Sequence, residues 1–295
     1  MSYRAILVTG AFGQIGSELV PALVRYYKTA TVISSDIKTA PARNAQDGLH
    51  QHLDCNDLKQ LIEVVQRYKV DCIYHLAALL SAVSEERPQL AWQVNMDGLY
   101  NVLEAARQFG CSVFFPSSIG AFGPSTPKDG TPQLTIQRPN TMYGVTKVAG
   151  ELLCDYYAER FAVDTRGLRL PGLISYVAPP GGGTTDYAAE IFYHAIHYRK
   201  YSCFLNGQSQ LDMMYMPDAI RAMIELMEAD PKRLTVRNAY NVTAINFTPE
   251  RLAAAIQQHI PDFTITYDID PVRQAIANSW PHAIDDSQAQ EDWGW

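Results

Sequence analysis

Ala5-Ile6-Leu7-Val8-Thr9-Gly10-Ala11-Phe12-Gly13-Gln14-Ile15-Gly16 is the stretch on which the reading of the fold turns. Ala5–Thr9 is uncharged and ends in two β-branched residues, the pattern of a buried strand. Glycines at 10, 13 and 16 then permit a tight turn, and an amphipathic segment from about Gln14 to Tyr27 reads as a helix. A strand that feeds a glycine-rich turn into a helix aims the unpaired N–H groups of the first helical turn at one point. Such a point suits a pyrophosphate.

The next apolar run, Thr31–Ser35, ends at Asp36, 20 residues beyond Gly16. A carboxylate there accepts hydrogen bonds from the adenosine ribose and repels a 2′-phosphate, which predicts NAD rather than NADP. Further along, apolar runs alternate with helical patterns: a helix near Asp57–Tyr68, a strand at Val70–Leu76, a helix over Pro88–Phe109 and a strand at Ser112–Pro116. A loop rich in Pro, Thr and Gly spans Gly120 to Asn140. A long helix from Thr141 to Phe161 and a strand at Asp164–Leu170 follow. This repetition predicts an α/β fold with a doubly wound parallel sheet of Rossmann type, covered by helices on both faces. Beyond Pro171 the regularity fades. We expect a loop at Pro179–Gly183, helices near Tyr187–Arg199 and Pro217–Glu228, a strand near Ser202–Leu205 and a final helix around Pro249–His259. The expected division is a dinucleotide-binding domain over 1–170. A smaller, mostly substrate-binding part over 171–295 sends some segments back to the core.

Composition removes other classes. The chain has 295 residues, 47% hydrophobic and 19% charged, with a net charge of -7. That is ample material for a core and gives no basic footprint for nucleic acid or an anionic membrane. The longest apolar stretch, about Cys72 to Val83, is too short to span a bilayer, and Met1–Val8 is too short for a signal peptide. The five cysteines, at 55, 72, 111, 154 and 203, form no CxxC pair, so free thiols in a reducing cytoplasm are expected. No ligand cluster suggests a metal. His194 and His197 are three apart in an aromatic helix and read as packed or exposed side chains.

Tyr143 and Lys147 lie at i and i+4 at the start of the long helix, and Ser117-Ser118 closes the strand before it. An ammonium beside a phenol should lower a pKa that begins near ~10 and make Tyr143 a general base. With the GxxGxxG turn, this arrangement resembles the extended branch of the short-chain dehydrogenase/reductase superfamily. The resemblance implies catalysis by Tyr143, Lys147 and Ser118. It implies cofactor contacts from Gly10, Gly13, Gln14, Ile15, Gly16, Asp36, Asp54 (at the adenine), Cys55, Leu76, Ala77, Ala78, Asn95, Ser117, Tyr143, Lys147 and Leu170.

Nucleotide-sugar epimerases and dehydratases of that branch use an Arg a few residues before a Val-x-Asp to bind a diphosphate. Here Leu211 takes its place, and Arg169-Leu170-Pro171-Gly172 replaces the usual Asn-Pro segment. Both departures point to a substrate without a nucleotide. Several long segments, among them His75–Ser81, Pro116–Gly123, Gly181–Tyr187 and Asp212–Asp218, are similar to the short-chain L-threonine 3-dehydrogenases, many of which carry Thr where Ser118 stands. That resemblance implies NAD-dependent oxidation of L-threonine at carbon 3 without zinc, by a homodimer packed through the long helices. Ser81, Ser118, Tyr143, Gly183, Thr184 and Thr185 would bind the substrate. For Thr184 and Thr185 a self-bonding turn after three glycines is the other reading. A non-enzymatic NAD-sensing regulator on this fold would typically lack Tyr143 or Lys147.

Overall fold

The computed structural model describes residues 3–39 and 49–295. Met1 and Ser2, part of the opening run weighed above as a signal peptide, lie outside the described residues. The first half alternates as β1 (Ala5–Thr9), α1 (Gly16–Tyr26), β2 (Thr31–Asp36), β3 (Leu49–His52), α2 (Leu58–Tyr68) and β4 (Cys72–His75). Then follow α3 (Ser81–Glu86), α4 (Pro88–Trp92), α5 (Gly98–Phe109), β5 (Ser112–Ser118), α6 (Met142–Phe161) and β6 (Thr165–Leu170). The second half comprises β7 (Gly172–Ile174), α7 (Tyr187–Tyr198), β8 (Lys200–Cys203), β9 (Leu211–Tyr215), α8 (Met216–Glu228) and β10 (Tyr240–Asn241). It ends with β11 (Ile245–Phe247), α9 (Pro249–Gln257), β12 (Thr264–Tyr267), α10 (Pro271–Ser279) and α11 (Ser287–Trp293).

Seven strands form a parallel sheet in the order β10-β6-β5-β4-β1-β2-β3. Its period of two divides the core. Ile6, Val8, Cys72, Tyr74 and Phe114 face the side covered by α1 and α8, where Leu19, Leu23 and Met223 meet them. Ala5, Leu7, Ile73, Val113 and Phe115 face α2, α5 and α6, against Leu61, Leu103 and Cys154. Full burial of each large aliphatic side chain contributes ~1.5–3 kcal/mol, so central strands without a polar face are what hold this sheet in register. A third cluster, built from α7, β8, β9, α9 and α10, packs around Tyr187, Met213 and Phe263. The last strand of the sheet, β10, comes from beyond residue 171 and pairs Tyr240 with Leu168.

Two differences from the sequence reading have local causes. The expected helix over Pro88–Phe109 is α4 and α5 joined by a π-helical turn, Gln93–Asp97. The wider turn places Asn95 inward, where it accepts from Leu79 N–H (2.8 Å) and donates to the Leu79 carbonyl and the Thr146 hydroxyl. The chain also continues past its expected last helix into α10 and α11. Helix α10 is short, but Asp270 caps it by accepting from Val272 and Arg273 N–H, and Pro271 occupies its first position.

Candidate active site

The glycine turn packs directly on the end of β4. Gly10 has φ +66°, and a Cβ there would lie 2.7 Å from the Ala77 nitrogen, so no other residue fits without displacing backbone. Phe12 N–H donates to Asp36 Oδ2 (3.1 Å) and Lys38 N–H to Oδ1 (3.0 Å), which fixes the Asp36 carboxylate at the lip of β2. Gln14 Nε2 donates to Ser175 Oγ at 2.8 Å and ties the turn to the chain beyond β7.

Strand β5 and helix α6 bring the expected catalytic groups together. Thr141 caps α6 by accepting from Gly144 N–H (3.1 Å). One turn on, Lys147 is buried, its Nζ donates to the Pro116 carbonyl at 2.6 Å, and it lies 5.3 Å from the Tyr143 ring centroid. The Ser118 oxygen accepts from Gly120 N–H (3.1 Å) beside the phenol. The charge balance corrects the sequence expectation. Burial pushes the Tyr143 phenol up to about 12, and the Ser118 hydrogen bond pulls against it. Lys147 is brought down to about 8, also by burial, while the Glu151 charge opposes the fall. The ammonium is committed to a carbonyl rather than to the phenol, so proximity on one helical face does not by itself lower the tyrosine.

On the opposite wall, Ser81 at the start of α3 and Thr184 are both buried, with hydroxyls 3.0 Å apart, and Thr184 N–H donates to Ser81 Oγ (3.1 Å). Thr184 therefore bonds to the start of α3, 103 residues away in the chain, and not within a local turn. Asp186 holds the glycine segment by accepting from Gly182 and Gly183 N–H, both at 2.7 Å.

One cavity of about 320 Å³ joins these walls. From the predicted set it gathers Gly10, Gly13, Gln14, Ile15 and Gly16 of the turn, Leu76 and Ala78 after β4, and Ser117, Ser118 and Leu170 at strand ends. Tyr143 and Lys147 come from α6; Ser81, Gly183, Thr184 and Thr185 line the far side. Asp36, Asp54, Cys55, Ala77 and Asn95 do not line it. Asp54 accepts from Asn56 N–H (2.9 Å), Cys55 is buried against Gly98, and Asn95 is spent on Leu79 and Thr146. Ser117 lines the cavity, but its hydroxyl donates to Glu151.

The sequence reading missed Lys38, Leu79, Leu80, Asp186 and Trp280 in the lining. An Asp three residues after a glycine run is a readable turn signal. Trp280 has no comparable signal, since it reaches the cavity only because α10 folds back over it. Elsewhere, Leu211 is buried in β9, and the His194 ring packs on Tyr198 and Tyr201. All five cysteines are buried and unpaired. Among the described residues no three His, Cys, Asp or Glu side chains come together as metal ligands, and no helix is long and apolar enough to cross a membrane.

A parallel sheet with a glycine turn at its carboxyl edge, next to a buried Tyr-Lys pair and a half-buried Ser, defines a dinucleotide-dependent enzyme of the extended short-chain dehydrogenase class. The chain belongs to the NAD dependent epimerase/dehydratase family, whose model matches residues 6–243. It is 53% identical over 292 residues to an uncharacterized epimerase/dehydratase of Staphylococcus aureus (strain USA300), covering 99% of this chain and 91% of that one. Among solved structures it is similar to the holo form of an L-threonine dehydrogenase from Cupriavidus necator. The identity is 52%, the TM-score 0.95, and the match covers 99% of this chain and 94% of that one. A monomeric L-threonine 3-dehydrogenase from a metagenome is 45% identical with a TM-score of 0.95, covering 98% and 92%. NAD is the cofactor of the family, and the residues present fit it. The turn has no side chain at Gly10, Gly13 or Gly16, the first turn of α1 opens on the cavity, and Asp36 is held at the end of β2.

Proposed function

We propose that this protein oxidises the carbon-3 hydroxyl of L-threonine with NAD, giving 2-amino-3-oxobutanoate. The observation that carries this reading is the charge of the cavity wall. Its cations are Lys38, next to Asp36, and Lys147, tied to Pro116, and neither lies with the hydroxyls of Ser81, Thr184 and Thr185. A hydroxyl-lined end whose charged neighbour, Asp186, is an anion already accepting from Gly182 and Gly183 N–H suits a small zwitterion and offers nothing to neutralise a diphosphate. Residues 1–170 would hold the cofactor, and 171–295 would supply most of the wall around the substrate.

In this reading Tyr143 takes the proton from the carbon-3 hydroxyl, and Ser118 orients that hydroxyl toward it. Lys147 holds the nicotinamide ribose. Gly10 to Gly16 and Asp36 hold the pyrophosphate and the adenosine ribose, with Leu76, Ala78 and Leu170 along the cofactor's length. Ser81, Gly183, Thr184 and Thr185 receive the amino-acid head group. When bound, NAD supplies a cationic nicotinamide ring that accepts hydride from carbon 3 and favours the phenolate of Tyr143. The Ser81–Thr184 pair exchanges its internal hydrogen bond for bonds to the substrate.

The deciding assay is NADH formation with L-threonine, set against UDP-sugars and simple secondary alcohols. L-threonine should be the only efficient substrate, and UDP should not compete with it, because Leu211, buried in β9, stands where the epimerases of this branch carry a diphosphate-binding arginine. Turnover of a UDP-sugar, or competitive inhibition by low UDP, would restore the epimerase reading.

We further propose a homodimer through α5 and α6. Leu152, Tyr156 and Tyr100 on these helices are at least half exposed, at 62%, 53% and 50%. An apolar strip of this kind is costly to leave in water. Sedimentation equilibrium should give twice the chain mass, falling to one chain in Leu152→Glu with turnover largely retained. A wild-type monomer, like the metagenomic neighbour, would remove this assembly.

A further inference from the structure

Tyr143, Lys147 and Glu151 stand four residues apart on α6 and leave one face of the helix toward the end of β5. The first two belong to the reaction proposed above; nothing in that reaction uses Glu151. Yet its carboxylate is buried and fully engaged. Oε1 accepts from the Ser117 hydroxyl and from Arg169 Nε (3.1 Å), and Oε2 accepts from Arg169 Nη2 and Gln137 Nε2, both at 2.8 Å. Arg169, the residue that departs from the usual Asn-Pro segment, is directed inward. Its Nη1 donates to the Gln133 carbonyl (2.8 Å) and to Asn241 Oδ1 (3.2 Å). Neither Glu151 nor Arg169 lines the cavity.

We propose that Glu151, anchored by Arg169, is a positioning residue that fixes the end of β5 and keeps Lys147 charged. The geometry of the strand end supports the first part. Lys147 grips the Pro116 carbonyl and Glu151 the Ser117 hydroxyl, so two successive residues are held from α6 just before Ser118 presents its own hydroxyl to Tyr143. Electrostatics supports the second. Burial favours loss of the Lys147 proton, and the Glu151 carboxylate is the largest influence against that loss, with Cys154 behind it. The other groups facing Lys147 do not help. Tyr143 is a neutral phenol, His75 from β4 is kept neutral by burial, and Arg169 from β6 is a cation beyond Glu151. An opposite charge within a few ångströms shifts a titration by about 1–3 pH units, and Glu151 stands one helical turn from Lys147.

This inference rests on the Tyr143–Lys147 reading of the site, and its test separates the two. Glu151→Gln alone would strand the buried Arg169 charge and endanger folding. Glu151→Gln/Arg169→Gln leaves no stranded charge, and Glu151→Asp keeps the negative one. In cofactor-free protein labelled at lysine 13Cε, the Lys147 inflection should fall by about one pH unit in the double variant. It should stay in place in Glu151→Asp and in Ser117→Ala. NADH formation from L-threonine by the double variant should be reduced about twofold at pH 7 and about tenfold at pH 9, because its alkaline limb follows that inflection. A Lys147 inflection that does not move, or a loss of turnover by the same factor at every pH, would overturn the proposal. If the wild type made no NADH from L-threonine, the substrate reading would fall while the titration still decided the role of Glu151.

Discussion

Tyr143→Phe should lower turnover of L-threonine by about 10²–10⁴-fold, the usual worth of a positioned general base, while NAD still binds. In the proposed reaction the phenol would give its oxygen to the substrate, whereas the turn from Gly10 to Gly16, with the Asp36 carboxylate hydrogen-bonded behind it, would serve the cofactor. The pH dependence has a worked sign. In the cofactor-free protein the phenol is pushed up to about 12 and the ammonium down to about 8, both by burial. Deprotonating Tyr143 creates the base, so turnover rises with pH. Deprotonating Lys147 would remove the charge proposed to hold the ribose, so turnover should fall again on the alkaline side. The rising limb must appear well below pH 12, since the cationic ring and the bound substrate act only in the complex.

Lys147→Ala should therefore damage both NAD affinity and turnover, and Ser118→Ala should cost less than Tyr143→Phe. Ser118→Thr restores the residue common among the threonine dehydrogenases it resembles and should be tolerated. Groups that act as a unit are not additive, so Tyr143→Phe/Ser118→Ala should be little worse than Tyr143→Phe. Stopped-flow and steady-state NADH formation would measure all of these. Retention of a tenth of the turnover in Tyr143→Phe, a barrier change of only ~1.4 kcal/mol, would mean that another group is the base.

What the sequence reveals about this molecule follows from how local each signal is. Strands such as β1 and β4 are legible because burial on both faces favours apolar residues up to their last positions, Thr9 and His75, and the turn because glycine is demanded at 10 by a backbone that touches Ala77. The Tyr143–Lys147 pair is legible because helical spacing alone puts both on one face. The phenol's charge state is not, because it depends on burial by segments distant in the chain. Asn95 reads as part of an unbroken helix, and only the π turn, stabilised by its bonds to Leu79 and Thr146, shows why it faces inward. The short C-terminal elements lack periodicity. Trp280, which approaches the Tyr143 ring across Gly120, enters the site through tertiary packing that no pattern around residue 280 encodes.

Asp36→Ser should weaken NAD use and raise the NADP/NAD ratio of kcat/KM, with both effects large. Its carboxylate is available for the ribose hydroxyls at the end of β2, and each hydrogen bond to a charged group is worth ~1.5–3 kcal/mol, about 10–150-fold. The structure adds a second consequence. The same carboxylate accepts from Phe12 N–H at 3.1 Å, inside the glycine turn, and from Lys38 N–H at 3.0 Å. Removing it therefore loosens the phosphate-binding backbone as well as the ribose contact, so NAD affinity should fall by more than one lost ribose bond accounts for. NADP gains because a 2′-phosphate would no longer meet a negative charge, and Lys38, which lines the cavity, would supply a cation on that side. Asp36→Asn separates the two contributions. An amide keeps an acceptor for Phe12 N–H but drops the charge, so it should relieve the repulsion of NADP while costing NAD less than Asp36→Ser does. Comparable kcat/KM with NAD and NADP in the unmodified protein would defeat the assignment of Asp36. An Asp36→Asn variant as poor with NADP as the wild type would show that repulsion by this carboxylate is not what sets the preference.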